Sequence, residues 1–215
     1  EIIKRRLTVT WWTNIRFEER FTNELCRLLK ASGCIAVSGG LEVASDRLLA
    51  KMKKGITVSK VAKVSRNFTD AGIMVHAYLM YGFPTQTVQE TVDSLEMVRQ
   101  LFENGIIQSG FWHQFAMTAH APVGLDPTGF GVSFSGPEHL GFAKNDLRHE
   151  DPLGADHGLF GEGLRVSLYN YMNGAGFDLA LSKWFDFKIP ATSIPPHFIL
   201  KEIEKNPEKR PTAAS

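Results

Sequence analysis

The sequence predicts an α/β chain in which four parallel strands alternate with helices, followed by an extension that is first irregular and then helical. Two observations carry this. An amphipathic stretch, a small residue with Gly, and a short apolar run occur in that order three times. They are Ala31-Ser32-Gly33 before Cys34-Ile35-Ala36-Val37, Ala71-Gly72 before Ile73–Met80, and Asn104-Gly105 before Ile106-Ile107. The glycines stand 39 and 33 residues apart, room for a helix-and-strand unit whose strands run parallel through right-handed crossovers. The second observation is a change of texture after about Ala119, where Gly, Pro, Asp and His accumulate and periodicity fades.

Each element has its own signal. Arg6–Trp12 alternates and reads as the first strand. Glu18–Ala31 follows as a helix with Phe21, Leu25, Leu28 and Leu29 on one face. Gly33 suits the left-handed backbone that stops a helix, and Cys34–Val37 reads as a strand buried on both faces. Ser45 and Thr57 are N-caps for helices over Asp46–Lys53 and Ser59–Asp70. Met74–Met80 is the third strand, and Val88–Glu103 is a helix with Val92, Leu95, Val98, Leu101 and Phe102 inward. Gln108–Phe115 is the fourth strand. Helical signals return over Glu162–Met172 and Pro195–Lys205, and Asn206–Ser215 is expected to be disordered. The expected division is therefore 1–120 for the strand–helix part, 121–205 for the extension and 206–215 for the tail. Four strands make half of an eight-stranded barrel and leave the first strand as an open edge. Either the last hundred residues fold back over the gap, or the remaining strands lie outside this chain.

Composition narrows the function classes. With 215 residues, 43% hydrophobic and 22% charged, the chain has the balance of a globular protein and not of a disordered or fibrous one. No run approaches the ~20 apolar residues of a membrane helix. Glu1-Ile2-Ile3-Lys4-Arg5-Arg6 is not followed by the apolar core of a signal peptide. A net charge of +1 provides no field to draw in nucleic acid or an anionic membrane. Two cysteines build no disulfide framework and point to a reducing, cytoplasmic setting. A first residue of Glu, not Met, suggests a processed or excised piece.

In parallel sheets the ligand sits at the C-terminal ends of the strands. Asn14, Arg16, Glu42, Gln86 and His120 would converge there. That set suits a ligand with carboxylate, amine and ribose hydroxyl groups, Arg for the carboxylate and Glu for the amine or hydroxyls. The plainer reading is that Arg16 and Glu42 are a neighbouring ion pair. Arg148-His149-Glu150-Asp151 and Asp156-His157 gather possible metal ligands, but the spacing matches no tight motif and a solvated polar loop is expected. Arg47, Lys51, Lys53 and Lys54 read as a solvated basic face. His76 and His113 read as satisfied core residues or barrel-interior groups, and Trp11, Trp12 and Trp112 as packing.

Two segments resemble the central strands of radical S-adenosylmethionine enzymes. One is Gly40-Leu41-Glu42-Val43-Ala44-Ser45-Asp46-Arg47-Leu48-Leu49, running on through Lys51-Met52-Lys53-Lys54-Gly55-Ile56-Thr57. The other is Ala71-Gly72-Ile73, its strand, and Tyr81-Gly82-Phe83-Pro84-Thr85-Gln86-Thr87. The resemblance covers roughly residues 7–120. It implies a partial (βα) TIM-type barrel, here the C-terminal part, that binds S-adenosylmethionine over its strand ends. It further implies a [4Fe-4S] cluster in the full-length protein and 5′-deoxyadenosyl-radical chemistry. Glu42 then matches the motif's cofactor-binding Glu, Gly82, Phe83 and Pro84 match the loop beside the adenine, and Arg16 sits where a contact to the methionine part is common.

The departures matter as well. The Cys-x3-Cys-x2-Cys cluster motif is absent, and Cys26 and Cys34 read as small buried hydrophobes. The cluster-bearing strands are therefore expected in a missing N-terminal portion, with this chain inactive by itself. Val43 stands for the usual Ser, Thr85 for a common Gly, and Gln86 for the usual Glu. The long extension and the Trp–Trp strand also resemble the subgroup with a cobalamin-binding domain, which would add cobalamin to the whole protein. The rival readings are a cluster-free α/β binding module and a barrel using Glu42 and His120 as acid and base.

Overall fold

The computed structural model describes residues 1–136 and 145–205. Its spine is a four-stranded parallel sheet in the order β1 (Trp11–Ile15), β2 (Cys34–Glu42), β3 (Met74–Tyr81) and β4 (Ser109–Gln114). Neighbours in space are neighbours in sequence. The crossovers are α1 (Asn23–Ala31), then α2 (Asp46–Lys51) with α3 (Val58–Asp70), then α4 (Val88–Glu103). This is the winding of a partial (βα) TIM-type barrel.

Helix starts are set by side chains that satisfy orphan donors. Thr22, Ser45, Thr57 and Thr87 accept the N–H groups of Leu25, Leu48, Lys60 and Glu90. Each such cap contributes about 1 kcal/mol. The cap at Thr22 corrects the expected start of the first helix from Glu18 to Asn23. The residues before it make a turn closed by the Phe21 N–H on the Glu18 carbonyl at 3.1 Å.

Both ends of β1 and the end of β2 also move, β1 running on to Ile15 beyond the expected Trp12. β1 begins at Trp11, not Arg6, because a strand needs a neighbour's ladder, and its register with β2 starts at Trp11↔Cys34. Gly33 imposes that start: it has φ +95, and a Cβ there would collide with the Val9 carbonyl. Residues 2–6 form turns instead. β2 runs to Glu42, beyond the expected Val37, since Gly39 pairs with Ile15 and Gly40 with Tyr78. Ladder bonds on both sides outweigh glycine's low strand propensity.

The sheet has two unlike faces. Val37, Leu41, Val75, Ala77 and Leu79 face the helices and pack with Phe68, Leu95, Val98 and Leu101. All are at most 1% exposed. Burying each Val, Leu or Phe contributes about 1.5–3 kcal/mol. The opposite face, the would-be barrel interior, leaves Trp12 62% and Phe111 59% exposed.

The described part of the extension includes α5 (Pro122–Leu125), an antiparallel pair of β5 (Ser133–Phe134) and β6 (His149–Glu150), α6 (Gly161–Met172) and α7 (Phe198–Glu204). α6 packs on β4 and α7 on α3 and α4. Between them, residues 177–197 strap α4. Asp93, Arg99 and Gln100 of that helix are buried or nearly so, and each hydrogen-bonds the strap. The described residues after β4 thus fold back onto the helix side and the strand ends. Among the described residues none adds a strand to β1 or β4. The tail 206–215, expected to be disordered, lies outside the described residues. Among the described residues no helix is long and apolar enough to cross a membrane.

Candidate functional site

The loop after β3, Gly82-Phe83-Pro84-Thr85, is tied from every side. Gly82 has φ +80, a conformation that favours glycine, and a Cβ there would also press on His157 at 3.2 Å. Gln86 lies fully buried beneath the loop. Its Oε1 accepts the N–H groups of Gly82 (2.8 Å) and Phe83 (3.2 Å), and its Nε2 donates to Thr91 Oγ1 (2.9 Å). Gln86 was expected at the rim, facing ligand; its polar atoms are instead committed to the loop's own backbone.

Thr85 adopts φ +69, which costs a β-branched residue about 1–2 kcal/mol. Four hydrogen bonds offset that. Arg47 donates to its carbonyl (2.8 Å) and its Oγ1 (3.2 Å), and Lys51 donates to the same hydroxyl (3.1 Å). The Thr85 N–H in turn donates to Asp151 (2.6 Å). Arg47 is anchored by Glu90, whose carboxylate also accepts from Ser45 Oγ (3.0 Å) and from the Thr87 N–H (3.0 Å) in a capping box. Burial would raise the Glu90 pKa, but hydrogen bonds from Arg47, Thr87 and Ser45 bring it below its ordinary value. The expected basic face is partly exposed at Arg47 and Lys54, but Arg47 and Lys51 also donate to the Gly82–Thr85 loop and its surroundings and Lys54 to Glu42.

A second core roofs the strand ends. Val43, Leu48, Phe83, Met117, Val123 and Val132 form it, with Phe83 edge-on to Phe115 (5.2 Å between centroids). Val43, where the resemblance has Ser, is buried here, which accounts for the apolar residue. His157 comes from the extension and is buried against Gly82, with neither ring nitrogen hydrogen-bonded in good geometry. Burial pushes its pKa down; Asp151, the Gln86 backbone and Asp156 act more weakly in the other direction.

A stability prediction follows from that sign. The folded state holds the His157 proton less tightly than the free side chain, whose pKa is 6.5. The unfolded chain is protonated first as pH falls, so stability is intact above about pH 6.5 and declines below it. His76, also depressed by burial, adds to the same slope. The urea midpoint should drop from about pH 7 to about pH 5, and His157→Gln should flatten that drop. An unchanged slope in His157→Gln would mean the ring is not the titrating group.

At the ends of β1 and β2 lies a second group. Glu42 closes β2 at a bulge, with φ +62, and its carboxylate pairs with Lys54 at 2.8 Å. Arg16, exposed after β1, donates to the Lys54 carbonyl. Glu42 therefore pairs with Lys54 and not with Arg16, contrary to the simpler expectation; Lys54 links the two. Asn14 is exposed on β1, opposite Ser38, and His120 is exposed in a turn after β4. Sequence reasoning missed Lys54, Arg47, Lys51 and Asp151. The first three fall within the motif segment that carries Glu42, which was the available signal; Asp151 stood out only as one of a group of possible metal ligands, with nothing to link it to the Thr85 N–H.

Cys26 and Cys34 are buried on the helix side of the sheet. Two thiols so placed do not fit a four-iron cluster, which takes three ligands from protein. Among the described residues no group of three or more His, Cys, Asp or Glu side chains is placed to hold a metal ion. The chemistry of these groups would suit a zwitterionic nucleoside: Arg16 follows β1, Glu42 ends β2 with Lys54 reaching it from beyond α2, and a tightly shaped backbone loop follows β3.

Comparison with known proteins agrees in kind. The model of the radical SAM superfamily matches residues 10–98. An anaerobic magnesium-protoporphyrin IX monomethyl ester cyclase of Rubrivivax gelatinosus is 30% identical over 100 residues, 46% of this chain and 18% of that protein. An uncharacterized methyltransferase of Pyrococcus horikoshii is 26% identical over 95 residues, 44% of this chain and 20% of that one. The chain thus spans about a fifth of the curated relatives it matches. Among solved structures, the radical S-adenosylmethionine methyltransferase TsrM of Kitasatospora setae, with cobalamin and a [4Fe-4S] cluster bound, superposes with a TM-score of 0.55. That match covers 79% of this chain and 39% of TsrM at 15% identity, a likeness of fold.

Proposed function

From the match of residues 10–98 to the radical SAM superfamily, we propose that the chain belongs to that superfamily and forms one wall of an S-adenosylmethionine site. The cluster ligands would then lie in a further portion of the same protein. The observation that carries this is the adjacency of two built features on one end of the sheet: the Arg16–Lys54–Glu42 group and the Gly82–Thr85 loop. Arg16 would take the cofactor's carboxylate, Glu42 its amine or ribose hydroxyls, and Asn14 a further hydrogen bond. The backbone of Gly82, Phe83 and Pro84 would border the adenine, with Gln86 positioning that backbone from below. Bound beside a reduced [4Fe-4S] cluster, this cofactor supplies radical hydrogen-atom abstraction or methyl transfer. The likeness to TsrM supports cobalamin as an additional cofactor of the whole protein.

Residues 1–120 are the barrel part and 121–205 an extension that braces it. The whole protein is a radical SAM oxidoreductase or transferase, and two buried thiols suit a reducing cytoplasm. The exposed inner face supports a partner that is the rest of the same barrel.

Titration calorimetry with S-adenosylmethionine tests the site. Weak, saturable binding is expected, and Glu42→Ala and Arg16→Ala should each weaken it by at least about tenfold. Tight binding that survives both substitutions would place the pocket elsewhere.

A further inference from the structure

The inner face of the sheet is organised in level rows. At one level, pairing aligns Asn14, Ser38, His76 and Ser109 across all four strands. All four are neutral hydrogen-bonding residues, and two of them are joined, His76 Nδ1 lying 2.8 Å from Ser109 Oγ. One level toward the strand ends stand Gly40, Tyr78 and Phe111, and one level below stand Trp12, Ala36 and Met74. The Tyr78 ring meets His76 edge-on at 5.0 Å. Met80 and His113 complete the face at the top.

This composition separates a binding surface from a packed lumen. The interior of a closed (βα) barrel is filled mainly by Val, Ile and Leu. None of the twelve positions in these rows is Val, Ile or Leu, whereas the helix side of the same strands carries Val37, Leu41, Val75 and Leu79. None is Lys, Arg, Asp or Glu either; the charges begin at the rim, with Arg16, Glu42 and Lys54. Above Gly40 the place a side chain would fill is taken by the Glu42 carboxylate, so the acidic edge of the rim closes directly over the neutral row.

We propose that this face holds the substrate, and that the substrate is a flat, unsaturated ring system bearing neutral hydrogen-bonding groups. The rings stack against Tyr78 and Phe111, and the neutral groups meet the His76–Ser109 row. Anionic substrates such as phosphates or carboxylates find no counter-charge there. The inference rests on reading this chain as a barrel wall, and it names the substrate class for that wall.

Three probes test it on the 215-residue chain, followed through the imidazole NMR signals of His76, assigned by their loss in His76→Gln. They are indole-3-carboxamide, indole-3-carboxylate and cyclohexanecarboxamide, which separate ring, charge and amide. Indole-3-carboxamide should shift the His76 signals saturably and bind at least about tenfold more tightly than either control. Phe111→Ser, a change at an exposed position that leaves the circular dichroism spectrum intact, should weaken it by a similar factor. S-adenosylmethionine titration should be unchanged in Phe111→Ser, which keeps this result separate from the Glu42 and Arg16 test. Equal or tighter binding of the carboxylate overturns the proposal. So does an unaffected Phe111→Ser, or a self-associated chain whose His76 signals no probe moves.

Discussion

Asp93→Ala is expected to cost about 3–5 kcal/mol and to free the strap over residues 177–197 before the rest of the protein unfolds. Asp93 sits on α4, buried, where a barrel helix ordinarily shows its outer face to water. Its carboxylate accepts from Thr192 Oγ1 (2.8 Å), the Ser193 N–H (2.7 Å), Ser193 Oγ (2.6 Å) and Gln89 Nε2 (3.0 Å). Charge-assisted bonds of this kind are roughly twice as strong as neutral ones. Removing the acceptor leaves several donors without a partner at once. Asp93→Asn keeps shape and one acceptor, and its loss should be less than half as large. Urea unfolding gives the magnitude, and limited proteolysis gives the place: cleavage should appear first within the strap. A second anchor, Gln100, donates to the Pro195 carbonyl (3.0 Å) and accepts the Ile199 N–H (3.1 Å). The double variant with Gln100→Ala should therefore lose less than the sum of the single losses, since both act on one segment. Wild-type proteolysis in Asp93→Ala would show that apolar contacts alone hold the strap.

Gln86→Leu is the second large effect. The side chain is nearly isosteric, so the change empties no space. It strips the Gly82 and Phe83 N–H groups of their shared acceptor and leaves the Thr91 hydroxyl without its donor. At about 1–3 kcal/mol for each buried group left unsatisfied, the total loss is about 3 kcal/mol or more. The loop then relaxes, and affinity for S-adenosylmethionine should fall by more than about tenfold although Gln86 itself touches only protein. Gln86→Glu restores the acceptor and should recover most of the affinity. Unaltered affinity in a folded Gln86→Leu protein would mean that the shape of this loop is not used in binding.

The local elements were legible because their signals are local. The caps at Ser45 and Thr57 and the winding β–α–β are visible in runs of a few residues. A radical SAM likeness was likewise readable from Gly40–Thr57 and Tyr81–Thr87, because both motifs are contiguous. What failed was whatever depended on a distant partner. The start of β1 depends on where β2 begins, and the length of β2 depends on ladders offered by β1 and β3. Gln86 looked like a rim residue, since nothing in its neighbours along the chain reveals two backbone N–H groups waiting above it.

By itself the order of residues determined the parallel α/β winding, the class of motif at the strand ends and the apolar side that α4 buries. These follow from periodicity, caps and glycine conformation, which act over one or two turns of chain. The buried side of α1 was not determined in this way: Leu28 is exposed there and Cys26 is the buried residue. Only the tertiary structure decided that Glu42 pairs with Lys54, that Asp151 and His157 close on the Gly82–Thr85 loop, and that α4 is strapped on its outer side. Hydrogen bonds and ion pairs of that sort join groups up to about a hundred residues apart in the chain. Their geometry exists only once the packed sheet and helices have brought the partners within about 3 Å of each other.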